Sequence, residues 1–161
     1  MKKFIYTLLI IIALTNNSFS AGTSSDSSDS SSNYTKAKNL IKAAKKYEKK
    51  GKTEKAQKKY AKAQKLLLKS NKEKPLQADT LNYLGFTTRK LGDYEKGEAF
   101  YLQGLKIEPN HNGINEYLGE LYIATNRMDL AKERLNILKN CNCKEYKQLN
   151  EIIEGTKKSK Y

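Results

Sequence analysis

Two cysteines and a single histidine are the residues of this 161-residue chain best suited to redox or metal chemistry. Cys141 and Cys143 are separated by one residue. They could form a local disulfide that pins a turn, pair with another chain or stay reduced, or support redox or metal chemistry. Two sulfurs do not complete a closed zinc site, and His111 precedes Cys141 by 30 residues. We therefore expect no metal site, and we expect His111 to be exposed in a loop.

The sequence lacks the patterns that usually carry catalysis. It has no Ser-His-Asp order and no glycine-rich phosphate loop, and nothing in it suggests a separate catalytic domain. We therefore predict a protein that is not an enzyme and that needs no cofactor.

Residues 78–111 predict two amphipathic helices joined by a tight turn. Apolar and small residues recur at three- and four-residue steps, as at Leu81, Leu84 and Gly85, and so share one helix face. Gly85 would let a second backbone come close. Asp93 follows Gly92 at the turn as a candidate N-cap, and Pro109 ends the second helix.

This unit is repeated on both sides. In the following 34 residues, Leu118-Gly119 take the places of Leu84-Gly85, and Asn126 takes that of Gly92. Upstream, from Ala37, Ala44 and Gly51 stand at the offsets of Gly85 and Gly92, and the unit is about two helical turns longer. Three units in phase with a period of 34 resemble the tetratricopeptide repeat family.

The resemblance implies an all-α fold, a solenoid of three helix-turn-helix repeats plus a C-terminal capping helix. The repeats would be a divergent lysine-rich unit at residues 34–75 and closer matches at 78–111 and 112–145. The capping helix would occupy residues 146–154 and cover the last apolar face. Residues 155–161 would be a frayed tail.

In such a solenoid the first helix of each repeat lines a concave groove that holds a peptide or a partner's helix. The resemblance implies a groove that is basic at one end and acidic at the other, with Phe86 as an apolar anchor. The residues of this chain at the groove positions of the repeat are Lys38, Ile41, Lys45, Glu48, Lys49, Asp79, Asn82, Phe86, Arg89, Lys90, Glu116, Glu120 and Ile123.

Some members of the family hold a chain-terminal carboxylate with a set of lysine and asparagine side chains. The matching positions here carry other residues, so that clamp is not implied for this chain. They are Ile41, Lys45, Tyr83, Gly113 and Tyr117.

Nearly all of the formal net charge of +14 lies in the first repeat. Residues 34–75 contain 16 lysines against Glu48, Glu54 and Glu73, which leaves +13. These lysines could form an ordinary solvated face or a surface that attracts anions. The segment has no arginine, whose bidentate fork suits base recognition, so a nucleic-acid partner is disfavoured.

The N-terminus resembles an export signal. Residues 1–20 combine Met1-Lys2-Lys3, an apolar run of eleven and a small polar end, as secretory signal peptides do. Residues 21–33, rich in serine, predict a disordered linker. We therefore expect a mature chain without a transmembrane span, located in the bacterial periplasm or secreted.

These features favour a protein-interaction module of the cell envelope that binds an unidentified protein partner in its groove. Two alternatives stay open. The lysine-rich repeat could bind an acidic or phosphate-bearing envelope component, or the chain could be a structural assembly subunit.

Overall fold

The computed structural model describes the backbone of residues 30–159 and the side chains of residues 33–159. The predicted signal peptide and most of the predicted linker lie outside these residues. Within the described range, no helix has both the length and the apolar character that crossing a membrane requires.

The described part of the chain folds into helices that follow one another as hairpins, with no strand among residues 30–159. Their bounds are α1 Ser30–Lys49, α2 Thr53–Glu73, α3 Ala78–Lys90, α4 Tyr94–Ile107, α5 Asn112–Ala124, α6 Met128–Leu138 and α7 Lys144–Ile153. Three hairpins and a closing helix confirm the predicted solenoid of three repeats with a cap.

Each hairpin turns at a residue in the left-handed region. Gly51, Gly92 and Asn126 have φ values of 66°, 97° and 58°. Glycine and asparagine are the residues that adopt this conformation at least cost, so the alignment of the three units by these positions is correct. Asp93 is the N-cap of α4, as predicted, because its carboxylate accepts a hydrogen bond of 3.0 Å from the Lys96 amide.

The odd-numbered helices form a continuous layer. Helix α1 contacts α3, α3 contacts α5, and α5 contacts α7, whereas among the described helices α2, α4 and α6 do not contact one another. Each even-numbered helix instead packs on the two odd-numbered helices that flank it in sequence. Because the even-numbered helices splay apart, they lie on the outer side of the curve and the odd-numbered helices line its inner side.

Helix α1 begins at Ser30, four residues before the predicted start of the first repeat at residue 34. The extra turn is supported by Asn33, whose amide donates to both carboxylate oxygens of Glu73 on α2 at 3.2 Å. The last residues of the predicted linker are therefore helical. The interior of the lysine-rich hairpin includes Ala44, Tyr60 and Leu67, which are fully buried.

Small residues allow the helices to approach closely. A Cβ atom added at Gly85 would lie 2.5 Å from the ring of Tyr101, so α3 and α4 meet at the distance that only glycine permits. A Cβ atom at Gly119, the equivalent position, would lie 2.6 Å from Leu149 of α7. Buried Leu149 and Ile152 thus close the last repeat, which is the role expected of a capping helix.

The chain after α7 is not frayed at its start, contrary to expectation. The amides of Thr156 and Lys157 both donate to the carbonyl of Glu151 at 3.0 Å. Gly155 has a φ of 72°, which lets the chain turn back and satisfy the carbonyls of the last helical turn.

Candidate functional site

The inner side of the solenoid carries two depressions that share Lys45. The first, called here the basic pocket, lies between α1 and α3 and has a volume of about 620 Å³. Its lining residues are Lys42, Lys45, Lys46, Glu48, Lys49, Phe86 and Lys90. Five of the seven are lysines, so this is a cationic cavity.

The helical repeat of α1 explains why its lysines converge here. Lys42, Lys46 and Lys49 follow one another at steps of four and three, which places them on one face of the helix. The opposite face carries Ile41 and Ala44, which are buried in the core. Burial of that face therefore fixes the direction in which the lysines point.

Lys45 ties three helices of the inner layer together. Its Nζ atom lies 4.4 Å from the ring centroid of Phe86 on α3. The same atom donates a hydrogen bond of 3.2 Å to the hydroxyl oxygen of Tyr117 on α5. Burial raises the pKa of Tyr117, so its phenol is neutral and does not cancel the positive charge of Lys45.

The single carboxylate of the basic pocket already has two partners. Glu48 accepts a hydrogen bond of 2.7 Å from the Tyr60 hydroxyl and forms an ion pair of 2.6 Å with Lys90. Burial, followed by the bond to Glu48, raises the pKa of Tyr60. Glu48 therefore offsets one lysine charge and leaves the pocket strongly positive.

The second depression, called here the mixed-charge pocket, has a volume of about 360 Å³ and extends from Lys45 to α7. It combines acidic, basic and neutral side chains. Its lining residues are Lys45, Asp79, Asn82, Tyr83, His111, Gly113, Glu116, Tyr117, Lys144, Glu145 and Gln148.

His111 is a structural part of the mixed-charge pocket and not an exposed loop residue, which corrects the expectation from sequence. Its Nδ1 atom accepts a hydrogen bond of 3.1 Å from the Ile114 amide and so caps α5. Its Nε2 atom lies 3.2 Å from Asp79 Oδ1. Because Nδ1 accepts, Nε2 carries the proton and donates to the carboxylate. This bond links α5 to the start of α3.

Charged residues are also buried beneath the groove. Arg89 is 2% exposed, and Glu116 and Glu120, one turn apart on α5, are 4% and 0% exposed. The guanidinium donates a hydrogen bond of 2.7 Å to the Tyr117 carbonyl and lies 5.9 Å from the ring centroid of Tyr101. Burial raises the pKa of Tyr101, Arg89 opposes this effect, and Glu120 adds to it. The Tyr101 phenol therefore interacts with the charges of both Arg89 and Glu120.

Only part of the predicted groove lines the two pockets. Lys45, Lys49 and Lys90, with Glu48 and Phe86, line the basic pocket, and Asp79, Asn82 and Glu116 line the mixed-charge pocket. Lys38 is exposed beside the Tyr34 ring, 5.1 Å from its centroid.

Four other predicted groove residues line neither pocket. Ile41 is 3% exposed in the core between α1, α2 and α3, and Ile123 is partly buried against the core residues of α3 to α6. Arg89 and Glu120 are enclosed between α3, α4 and α5. The anchor Phe86 is itself 2% exposed, so it forms the floor of the basic pocket and does not project into the groove. The alignment of the repeats placed these side chains on the correct helices but did not predict how deeply they are buried.

Several lining residues were missed. Lys42 and Lys46 carry the four-residue spacing of the basic face, and Tyr117 is the partner of Lys45. The largest omission is α7, which contributes Lys144, Glu145 and Gln148 to the mixed-charge pocket. Lys144 and Gln148 are four residues apart and so share one face of α7. This spacing could have shown that the capping helix continues the inner layer.

The cysteines lie apart from both pockets. Cys141 and Cys143 form a disulfide, with their Cα atoms 5.1 Å apart, at the turn before α7. Among the described residues, no cluster of histidine, cysteine and acidic side chains could hold a metal ion.

Comparisons with known proteins agree with this architecture. Residues 78–111 match a family model described as tetratricopeptide repeat. The fold is similar to a solved structure, the first TPR of Spaghetti (RPAP3) bound to the HSP90 peptide SRMEEVD, with a TM-score of 0.54 and 18% sequence identity. That match covers 76% of this chain and 94% of the other. Among curated proteins, none matches the sequence.

Proposed function

We propose that this chain, which belongs to the tetratricopeptide repeat family, is a non-enzymatic interaction module that binds an extended segment of a partner protein along its inner side. The observation that carries the proposal is that Lys45 lines both pockets. The basic and mixed-charge pockets meet at this residue and together follow the inner helices from α1 to α7. Such a line of adjoining depressions fits an extended chain better than a compact ligand.

Two further observations support a peptide-like ligand. The structurally similar Spaghetti domain was solved with a peptide bound. In addition, the inner side offers separated charges of both signs, with lysines near α1 and the carboxylates of Asp79 and Glu145 nearer α7. A segment with complementary charges would be held in one direction.

Position-resolved photocrosslinking tests this proposal. A photoreactive residue would replace Lys49 or Asp79 on the inner side, or Lys62 or Gln103 on the outer helices, all four of which are exposed. We expect one partner protein to be captured from both inner positions and from neither outer position. Capture mainly from Lys62 or Gln103 would contradict binding in the groove and favour an assembly surface on the outer helices.

We also propose that the module works in the cell envelope. This proposal rests on the signal-like pattern of residues 1–20, which lies outside the described part of the chain. We expect the mature chain to begin at residue 21 or 22 and to fractionate with exported proteins. Mass spectrometry of the purified chain provides the measurement, and recovery with residues 1–20 intact would contradict export.

A further inference from the structure

The basic pocket has more positive charge than the fold itself uses. Five lysines line it against one glutamate, which gives a formal charge of +4 (five minus one). That glutamate is already bound to Lys90 and Tyr60. Within residues 33–159, no ion pair reaches Lys42, Lys46 or Lys49.

The spacing of these three lysines brings like charges together on one face of α1. Like charges three or four residues apart on a helix repel each other and weaken it. The three ammonium groups are exposed above a floor formed by Phe86, so they are directed to whatever enters the pocket. Lys46 and Lys49 also lie in the last turn of α1, where cations favour the helix dipole, so repulsion within the stripe is offset. A stripe of three lysines that contributes no ion pair within the described fold is explained if an anionic ligand neutralises it.

We infer that the basic pocket binds an acidic segment of the partner protein, whose carboxylates pair with Lys42, Lys46 and Lys49 while an aliphatic side chain between them rests on the lysine stems above Phe86. This inference rests on the proposed function and specifies its ligand. A lysine ammonium is a compact point charge that suits a single carboxylate. The volume of about 620 Å³ is large enough for a few side chains of an extended segment.

The pocket suits an acidic protein segment better than a nucleic acid. Proteins that bind single strands offer exposed aromatic rings on which bases stack, whereas Phe86 is 2% exposed and lies beneath Lys45. The bridge from Lys45 to Tyr117 also interrupts the positive surface after α3, so the lysines do not form a long phosphate track. Beyond that bridge the lining becomes mixed in charge.

Matched charge reversals in the full chain test the inference. The probe is a fluorescent ten-residue peptide of alternating Glu and Leu, and the control peptide has Gln in place of every Glu. The pocket variant is Lys46→Glu with Lys49→Glu. The control variant, Lys55→Glu with Lys62→Glu, makes the same charge change at exposed positions of α2. Fluorescence anisotropy is recorded at low salt and again at physiological salt, because screening weakens charge pairing.

We expect the acidic peptide to bind the unmodified chain and the control variant with similar affinity. The pocket variant should bind it at least tenfold more weakly, and the Gln peptide should not bind. Far-UV circular dichroism should show the same helix content for the pocket variant and the unmodified chain at the temperature of the binding measurement. Lys46→Glu gains an attraction to Lys42, whereas two carboxylates in the last turn of α1 oppose the helix dipole, so only a small change in stability is expected. The loss of binding would then not reflect unfolding.

Two outcomes would overturn the inference. Equal weakening in both double variants would show diffuse attraction to a lysine-rich surface, and tighter binding of an oligodeoxythymidylate of similar charge would favour nucleic acid. The groove proposal is tested separately by crosslinking. If the adduct formed from Asp79 persists in the Lys46→Glu, Lys49→Glu variant, the acidic segment is wrong and binding in the groove still stands.

Discussion

Replacing Arg89 by methionine is expected to lower the free energy of unfolding by about 3–5 kcal/mol, the range seen when one partner of a buried charge arrangement is removed. Arg89 is 2% exposed, and its charge acts on the buried Tyr101 phenol together with the charges of Glu116 and Glu120. Without its guanidinium, the Tyr117 carbonyl loses a donor, and both glutamates stay buried near Tyr101 without the one buried cation of residues 33–159. Such a loss is a large share of the stability of a small domain.

Urea unfolding followed by circular dichroism measures this effect. Arg127→Met is the matched control, because Arg127 makes a two-point ion pair with Glu98 at 3.0 and 2.7 Å but is partly exposed. That variant should lose about 1 kcal/mol or less. Adding Glu120→Gln to Arg89→Met should restore part of the loss, since it removes one uncompensated charge. Similar losses at Arg89 and Arg127 would show that the buried cluster is not a special source of stability.

The repeat architecture could be predicted because its determinants are local. A turn residue in the left-handed region, a small residue where two helices meet and apolar residues at helical spacing each leave a pattern within one unit. Gly92, Asn126 and Gly85 show this directly, since their backbone angles and close contacts match what their positions imply. Repetition then extends the same constraints to the neighbouring units.

The depth of side chains along the groove could not be predicted in the same way. Periodicity places Phe86 and Arg89 on the inner side of α3, but their exposure depends on what the next repeat places over them. Tyr117 does so here, with its ring centroid 5.1 Å from that of Phe86 and 5.8 Å from the Arg89 guanidinium. The sequence at one position does not reveal the size of a neighbour that is 28 residues away.

The basic pocket could be predicted only in part from the sequence. The charge imbalance of the first repeat is visible in composition, and the spacing of Lys42, Lys46 and Lys49 could be extracted from it. That Lys90 joins them from α3, and that Glu48 is already bound, requires the packing of two repeats. Composition therefore predicts a basic surface, whereas the structure distinguishes a pocket from a solvated face.

Replacing Phe86 by alanine is expected to cost about 3–5 kcal/mol of unfolding free energy, because a buried aromatic side chain is removed and a cavity remains. The ring centroid of Phe86 lies 5.7 Å from that of Tyr60, in an edge contact, and 5.1 Å from that of Tyr117, whose ring is tilted. Phe86 therefore joins the cores of the first two repeats. Lys45 would also lose the ring beneath its ammonium, 4.4 Å away. Phe86→Leu keeps an apolar side chain of intermediate size and should cost less.

Chemical unfolding of the two variants, with Leu102→Ala as a control at a 41% exposed position, measures the difference. The control should lose about 1 kcal/mol or less, since little apolar surface is uncovered. Folded Phe86→Leu should still bind the acidic peptide, because the lysines of α1 do not depend on the aromatic ring for their position. A loss of peptide binding in Phe86→Leu at full helicity would show instead that the ring itself recognises the ligand. If Phe86→Ala unfolds as easily as Leu102→Ala, Phe86 is not the packing element that its burial indicates, and the floor of the basic pocket is free to change shape.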